Sequence, residues 1–204
     1  VAVEAALVLP ILFTMLFGIV ELTMLVKDQI ATTSATRIGA RVAATGAGAG
    51  PGTCDLAGVD PPPCTDGTSP KLAQEAANAI QRSGLTMPRS SIDYLLVYQA
   101  NDKGYPGATG STTMPASCAN VVNCVMFKWR DANDAFRYAN GTWLSTDINA
   151  CLNRGDEVGV YMHVTHSWVS GLFGDGVGVD DRAVFRFEPL GEESCSKTSL
   201  HPHP

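Results

Sequence analysis

Two carboxylates stand against an otherwise apolar stretch: Glu4 immediately before, and Glu21 within, the run AALVLPILFTMLFGIVELTMLV at residues 5–26. A carboxylate carried into hydrocarbon costs on the order of several kcal/mol unless it is paired. Each must therefore snorkel to a membrane surface or find a cation or donor in a water-free assembly. The other reactive groups are six cysteines, Cys54, Cys64, Cys118, Cys124, Cys151 and Cys195, all outside the run. None has CxxC spacing, and His163 and His166 have no cysteine at zinc-finger distance, so the pattern points to disulfides in an oxidising compartment rather than to zinc. The spacing predicts Cys54 with Cys64 and Cys118 with Cys124 as loop staples, and Cys151 tethering the tail at Cys195.

Other chemistry finds little support. His163 and His166, three apart on a predicted strand, face opposite sides and make a poor metal pair. GDGVGVDD at residues 174–181 gathers Asp175, Asp180 and Asp181 but lacks the alternation of a calcium loop, and is expected to be a Gly/Asp turn. His201 and His203 read as a loose tail. No GxSxG elbow, HExxH pair, P-loop or dinucleotide fingerprint occurs, so neither an enzyme nor a cofactor is expected. With 14 basic and 20 acidic residues, a net charge of −6 and no Lys/Arg cluster, nucleic acid is not an expected partner.

The elements that position these groups begin with the run itself, which has the roughly 20 apolar residues needed to cross a bilayer. It lacks the basic front, short apolar core and cleavage site of a signal peptide, so it is expected to be retained. The numbered chain begins at Val1, consistent with a basic leader already removed. If the cysteines are oxidised, the remainder lies outside the cytoplasm. The helical pattern continues past Lys27 and Asp28, with Ala31, Ala35, Ile38 and Val42 on one face and Arg37 and Arg41 elsewhere. A helix from Ala2 to about Ala44 would be roughly 65 Å long, so half of it must lie against something other than lipid. Pro10 frees the carbonyl of Ala6 and predicts a local kink. GAGAGPG at 46–52 ends the helix.

Ser69 as N-cap and Pro70 in the first turn predict a second helix through KLAQEAANAIQRSG, with Leu72, Ala76 and Ile80 on one face and Gly84 as terminator. Strands are predicted at 91–98, 121–129, 134–139, 156–168 and 181–188. Asn140 and Gly141 predict a tight hairpin turn, which also accounts for the Asn140-Gly141-Thr142 sequon. The fold expected is α+β: a long N-terminal helix over 1–45, a Gly/Pro-rich linker over 46–68 and an extracellular disulfide-stapled domain over 69–204, with a short helix on an antiparallel sheet.

VEAALVLPILFTMLFGIVEL, the following stretch ending in RIGARVAA, and the closing DRAVFRFEP together resemble TadE-like proteins, the pilins or pseudopilins of tight-adherence (Tad) type IV pilus systems. Glu4, Pro10, Gly18, Glu21, Gly39 and Arg41 carry the N-terminal resemblance, and Arg186, Glu188 and Pro189 the C-terminal one. Residues 50–155 carry no motif of the family. The resemblance implies cleavage by a prepilin peptidase, residence in the inner membrane, and transfer by a pilus assembly machinery into a homopolymeric surface filament cored by the N-terminal helices. It also implies that Glu4 pairs with the Val1 ammonium of its own or an adjacent subunit, although pilins usually carry this glutamate one residue further on. Pro10 and Glu21 join Val1 and Glu4 as expected assembly residues. In the filament, Glu21 is expected to meet Lys27, Arg37 or a hydroxyl of a neighbouring helix. The alternatives are a minor pseudopilin that primes or caps a pilus made of another subunit, and a membrane-tethered extracytoplasmic binding or enzymatic domain.

Overall fold

The computed structural model describes residues 2–52, 68–83, 86–152, 155–171 and 174–191, with side chains from Leu7 onward. One continuous helix, α1, runs Ala2–Thr45, and a second, α2, runs Lys71–Arg82. Five strands follow: β1 Ile92–Ala100, β2 Cys124–Arg130, β3 Ala135–Thr142, β4 Glu157–His166 and β5 Val177–Arg186. They form one antiparallel sheet in the order β3-β2-β1-β4-β5, so the architecture is α+β.

Alternation along the central strands assigns the two sheet faces. Leu95 and Val97 of β1, Phe127 of β2 and Val158, Val160, Met162 and Val164 of β4 share a core with both helices. On the other face, Leu96, Tyr98, Met126 and Tyr161 form a smaller cluster with the Cys118–Cys124 disulfide. The loop after β1 is organised by Asn101, whose Oδ1 accepts from the amides of Lys103 and Tyr105 while Nδ2 donates to the carbonyls of Ala108 and Ser111. Arg182 of β5 fastens this loop, lying 3.5 Å above the Tyr105 ring and donating to the Gly104 carbonyl.

α1 joins the domain from Glu21 onward, and beyond Asp28 the contact surface is made mainly of small residues. Thr32, Ala35, Thr36, Ala40, Ala43, Ala44 and Ala47 are buried, whereas Ile38 is 37% exposed and Val42 only half-buried. Of the predicted stripe Ala31, Ala35, Ile38 and Val42, Ala35 is buried and Ala31 packs on the core, while Ile38 and Val42 give way to small neighbours that permit a close helix crossing. At Gly39 a Cβ would stand 2.6 Å from the Ile80 side chain of α2, and at Gly46 it would stand 2.9 Å from the Leu72 Cβ. The end of α1 is fixed by the chain's last described segment, where the Glu188 amide donates to the Ala44 carbonyl.

Three local expectations are corrected. α2 begins at Lys71 with Pro70 at the capping position and no side-chain cap, so the predicted Ser69 cap is one residue early; Gly84 lies outside the described residues. Asn140 and Gly141 do not turn a hairpin: they remain in β3, paired with Met126 and Val125 beside a register shift. Gly141 has φ +101° yet stays in the ladder, and the bulge falls at Ala139, which is skipped between Asn140 and Tyr138. The turn that does join β2 to β3 is made at 131–134, with Asp134 left-handed at φ 46°. The GDGVGVDD turn is confined to its first residues, since β5 begins at Val177 and pairs with β4 from there.

Cys118 and Cys124 are joined as predicted. Cys151 is disulfide-bonded, while Cys54, Cys64 and Cys195 lie outside the described residues, as do His201 and His203.

Candidate functional site

Two features set α1 apart from an ordinary packed helix: a bare apolar half, and a polar clamp where that half meets the domain. From Leu7 to Val20 every apolar side chain is exposed, including Leu7 at 69%, Met15 at 67% and Ile19 at 67%. The helix that carries it, taken from Leu7 to Thr45, is long and apolar enough to cross a membrane. The helix continues unbroken through Pro10, and its hydroxyls are turned inward: Thr14 donates to the carbonyls of Pro10 and Ile11, and Thr23 to that of Ile19. Such back-bonding hides polar atoms from hydrocarbon. Gly18 has nothing within 4 Å of where a Cβ would stand.

The clamp begins at Glu21. Its carboxylate is 2% exposed and accepts from the backbone amides of Val169, at 3.2 Å, and Ser170, at 2.6 Å. These amides belong to the segment that follows β4, so the donors come from the same chain rather than from Lys27, Arg37 or a neighbouring helix. Two turns further along the same face lies Asp28, which is 8% exposed. Its Oδ2 accepts from Nδ1 of the buried His166, at 2.6 Å, at the end of β4. The His166 ring meets Trp168 edge-on at 5.0 Å. Backbone support continues upward, with the Thr32 hydroxyl on the Asp28 carbonyl and the Thr36 hydroxyl 3.4 Å from Asp181 of β5. A spacing of seven thus closes one acidic side chain onto the end of β4 and the other onto the loop that follows it.

The Asp28–His166 pair copies part of a hydrolase relay, but Nε2 of His166 is buried and has no hydrogen-bond partner among the described residues. Among the described residues, no hydroxyl is poised on it to serve as nucleophile. The pair positions a loop rather than activates a group.

His163 lies on the opposite sheet face, as its offset from His166 predicted. It stacks on Tyr94 at 5.3 Å and faces Asp93 at 3.7 Å, and Thr165 donates to the same Asp93 carboxylate. Burial raises the pKa of Tyr94 and Tyr161 beside it. Among the described residues, no cluster of three or more His, Cys, Asp or Glu could hold a metal ion. Asp102, in the loop after β1, accepts from the Gly110 amide, which lowers its pKa.

Of the residues expected at an assembly site, Pro10 lies in the bare half of α1 and Glu21 in the clamp. Val1 lies outside the described residues, and Glu4 stands in the first turns of α1 with its side chain outside them. Asp28 and His166 were not anticipated. The seven-residue interval from Glu21 to Asp28 is the sequence signal that could have linked the two acids, but their partners lie more than a hundred residues away.

Residues 1–41 match the model of a family described as TadE-like protein, so the bare half of α1, the clamp acids and most of the small-residue contact surface fall within the matched segment. The chain matches no curated protein and no solved structure.

Proposed function

We propose that the chain is a structural subunit of a tight-adherence type IV pilus. It is held in the inner membrane by α1, processed by a prepilin peptidase, and then polymerised with copies of itself by the assembly machinery through residues 1–45. The sheet domain is displayed on the outside for adhesion or surface contact. The observation that carries this reading is the division of α1: a second half seated on the domain by small residues, and a first half whose apolar side chains the domain leaves uncovered.

A lone membrane anchor would satisfy that apolar surface with lipid, but it leaves Glu4 without a purpose. In a filament Glu4 enters a dry core and pairs with the Val1 ammonium, so only a subunit in register avoids an unpaired charge. The similarity of residues 1–41 to TadE-like proteins supports the same assignment.

Glu4→Ala tests it. In cells that carry the assembly machinery, the variant should remain in membranes and disappear from material sheared off the surface. Undiminished surface material would refute a pairing role for Glu4. Retention of the parental chain wholly in membranes would point to a tethered domain. A trace of the chain among filaments of another subunit would identify a primer or cap.

A further inference from the structure

The clamp leaves a remainder of charge that identifies a docking surface. Residues 1–36 hold four charged side chains, Glu4, Glu21, Lys27 and Asp28. Glu21 and Asp28 are consumed inside the subunit by the Val169 and Ser170 amides and by His166. Lys27, the sole basic side chain of the stretch, is exposed and has no hydrogen-bond or ion-pair partner among the described residues. Glu4 cannot serve it within one helix, because 23 residues separate them by about 34 Å.

Lys27 borders a groove of ≈ 590 Å³ between α1 and the segment after α2, lined by Val26, Ile30, Ser34, Ser83 and Thr86 among others. Val26 is 56% and Ile30 64% exposed, so the groove is largely apolar with one cation at its edge.

We infer that this groove receives the N-terminal segment of a second copy of the chain, with Glu4 of that copy against Lys27. The inference rests on the polymer reading above and adds a register to it. Setting Glu4 opposite Lys27 in parallel helices places Val3 on Val26, Leu7 on Ile30 and Ile11 on Ser34, a repeat of four that keeps the ridge of one helix along the groove of the other. The carboxylate has two oxygens and accepts from Lys27 and from an amino terminus together. Because the groove and the segment that fills it are different surfaces of the same chain, the contact is heterologous and propagates into an open filament rather than closing a dimer.

The test uses the full chain in cells with the assembly machinery. Leu7→Cys combined with Ile30→Cys should give intermolecular disulfides in intact filaments, while either single variant should not. Lys27→Glu should lower the sheared-filament yield by at least about tenfold, and Lys27→Arg should retain it. Absence of the crosslink in assembled filaments overturns the inference while leaving polymerisation intact. If the double-cysteine variant does not assemble, the axial offset between contacting helices in parental filaments decides: about 34 Å supports the register, and any other offset overturns it. If Lys27→Glu instead releases the chain from membranes with filament yield per membrane-bound chain unchanged, Lys27 is a phospholipid headgroup anchor and the inference fails. Parental cells without filaments of this chain would refute the polymer reading itself.

Discussion

Replacing Asp28 with alanine should loosen the junction between α1 and the domain, and the geometry sets the size of the effect. The Asp28 carboxylate accepts a 2.6 Å hydrogen bond from His166, whose side chain is 5% exposed against 11% for the acid. A hydrogen bond to a charged group is worth about 1.5–3 kcal/mol, and breaking a fully buried charged pair costs about 3–5 kcal/mol. Here the upper range is unreachable, because the acid is partly exposed and water can replace it on one side. The loss falls in the upper part of the lower range, because His166 would be left with both ring nitrogens unsatisfied, Nε2 already lacking a partner among the described residues. An expected loss of about 2–3 kcal/mol follows, with about 1 kcal/mol for Asp28→Asn, whose amide oxygen still accepts. Urea titration of the detergent-solubilised full chain, followed by tryptophan fluorescence, reads this well because Trp168 lies edge-on to His166. A double-mutant cycle with His166→Ala should return a coupling above about 1 kcal/mol. An Asp28→Ala variant within about 0.5 kcal/mol of the parent, with no coupling, would refute the clamp.

The companion acid acts locally: Glu21→Ala should raise hydrogen exchange at the Val169 and Ser170 amides at least about tenfold while the central strands stay protected, and unchanged exchange would contradict their assigned acceptor. Gly159→Ala should destabilise the sheet by about 2–3 kcal/mol, because the new Cβ would stand 2.3 Å from Cζ of the fully buried Tyr98; a melting temperature like the parent's would show that Tyr98 has room to move. Burial raises the pKa of Tyr98 and Tyr161 above the ordinary 10.0, so folding favours their protonated forms. That stabilisation is complete below about pH 10 and is lost progressively from there toward the folded values, as the unfolded tyrosines ionise first, so the urea midpoint should be lower at about pH 11 than at about pH 8, and by less in Tyr98→Phe. An equal slope in the phenylalanine variant would remove Tyr98 from the explanation.

Elements with a strong local period were legible in the sequence, and those defined by distant partners were not. α1 was marked by its apolar run, and α2 by Leu72, Ala76 and Ile80, all buried as expected. Cys118 and Cys124 could be paired because six residues of separation form a short loop. Asn140-Gly141 misled because the residue pair suits a tight turn by type, and only the continued pairing of β3 with β2 shows that it stays within a strand. β5 was read too late because Val177-Gly178-Val179 opens an edge strand with little bulk. The contact face of α1 was right at Ala31 and Ala35 and wrong at Ile38 and Val42, because hydrophobic period seeks large side chains, whereas close helix packing here selects Ala, Gly and Thr. The clamp was invisible for a further reason: Glu21 and Asp28 acquire partners only when the end of β4 and the loop after it are brought against α1.

Cryo-electron microscopy of material sheared, without detergent, from the surface of cells expressing this chain tests the account most directly. The account predicts filaments built of this chain, with the bare halves of α1 packed at the axis, Val1 beside Glu4 and the sheet domain outward. Filaments that lack this chain, or no filaments while the chain stays in the membrane, would contradict it.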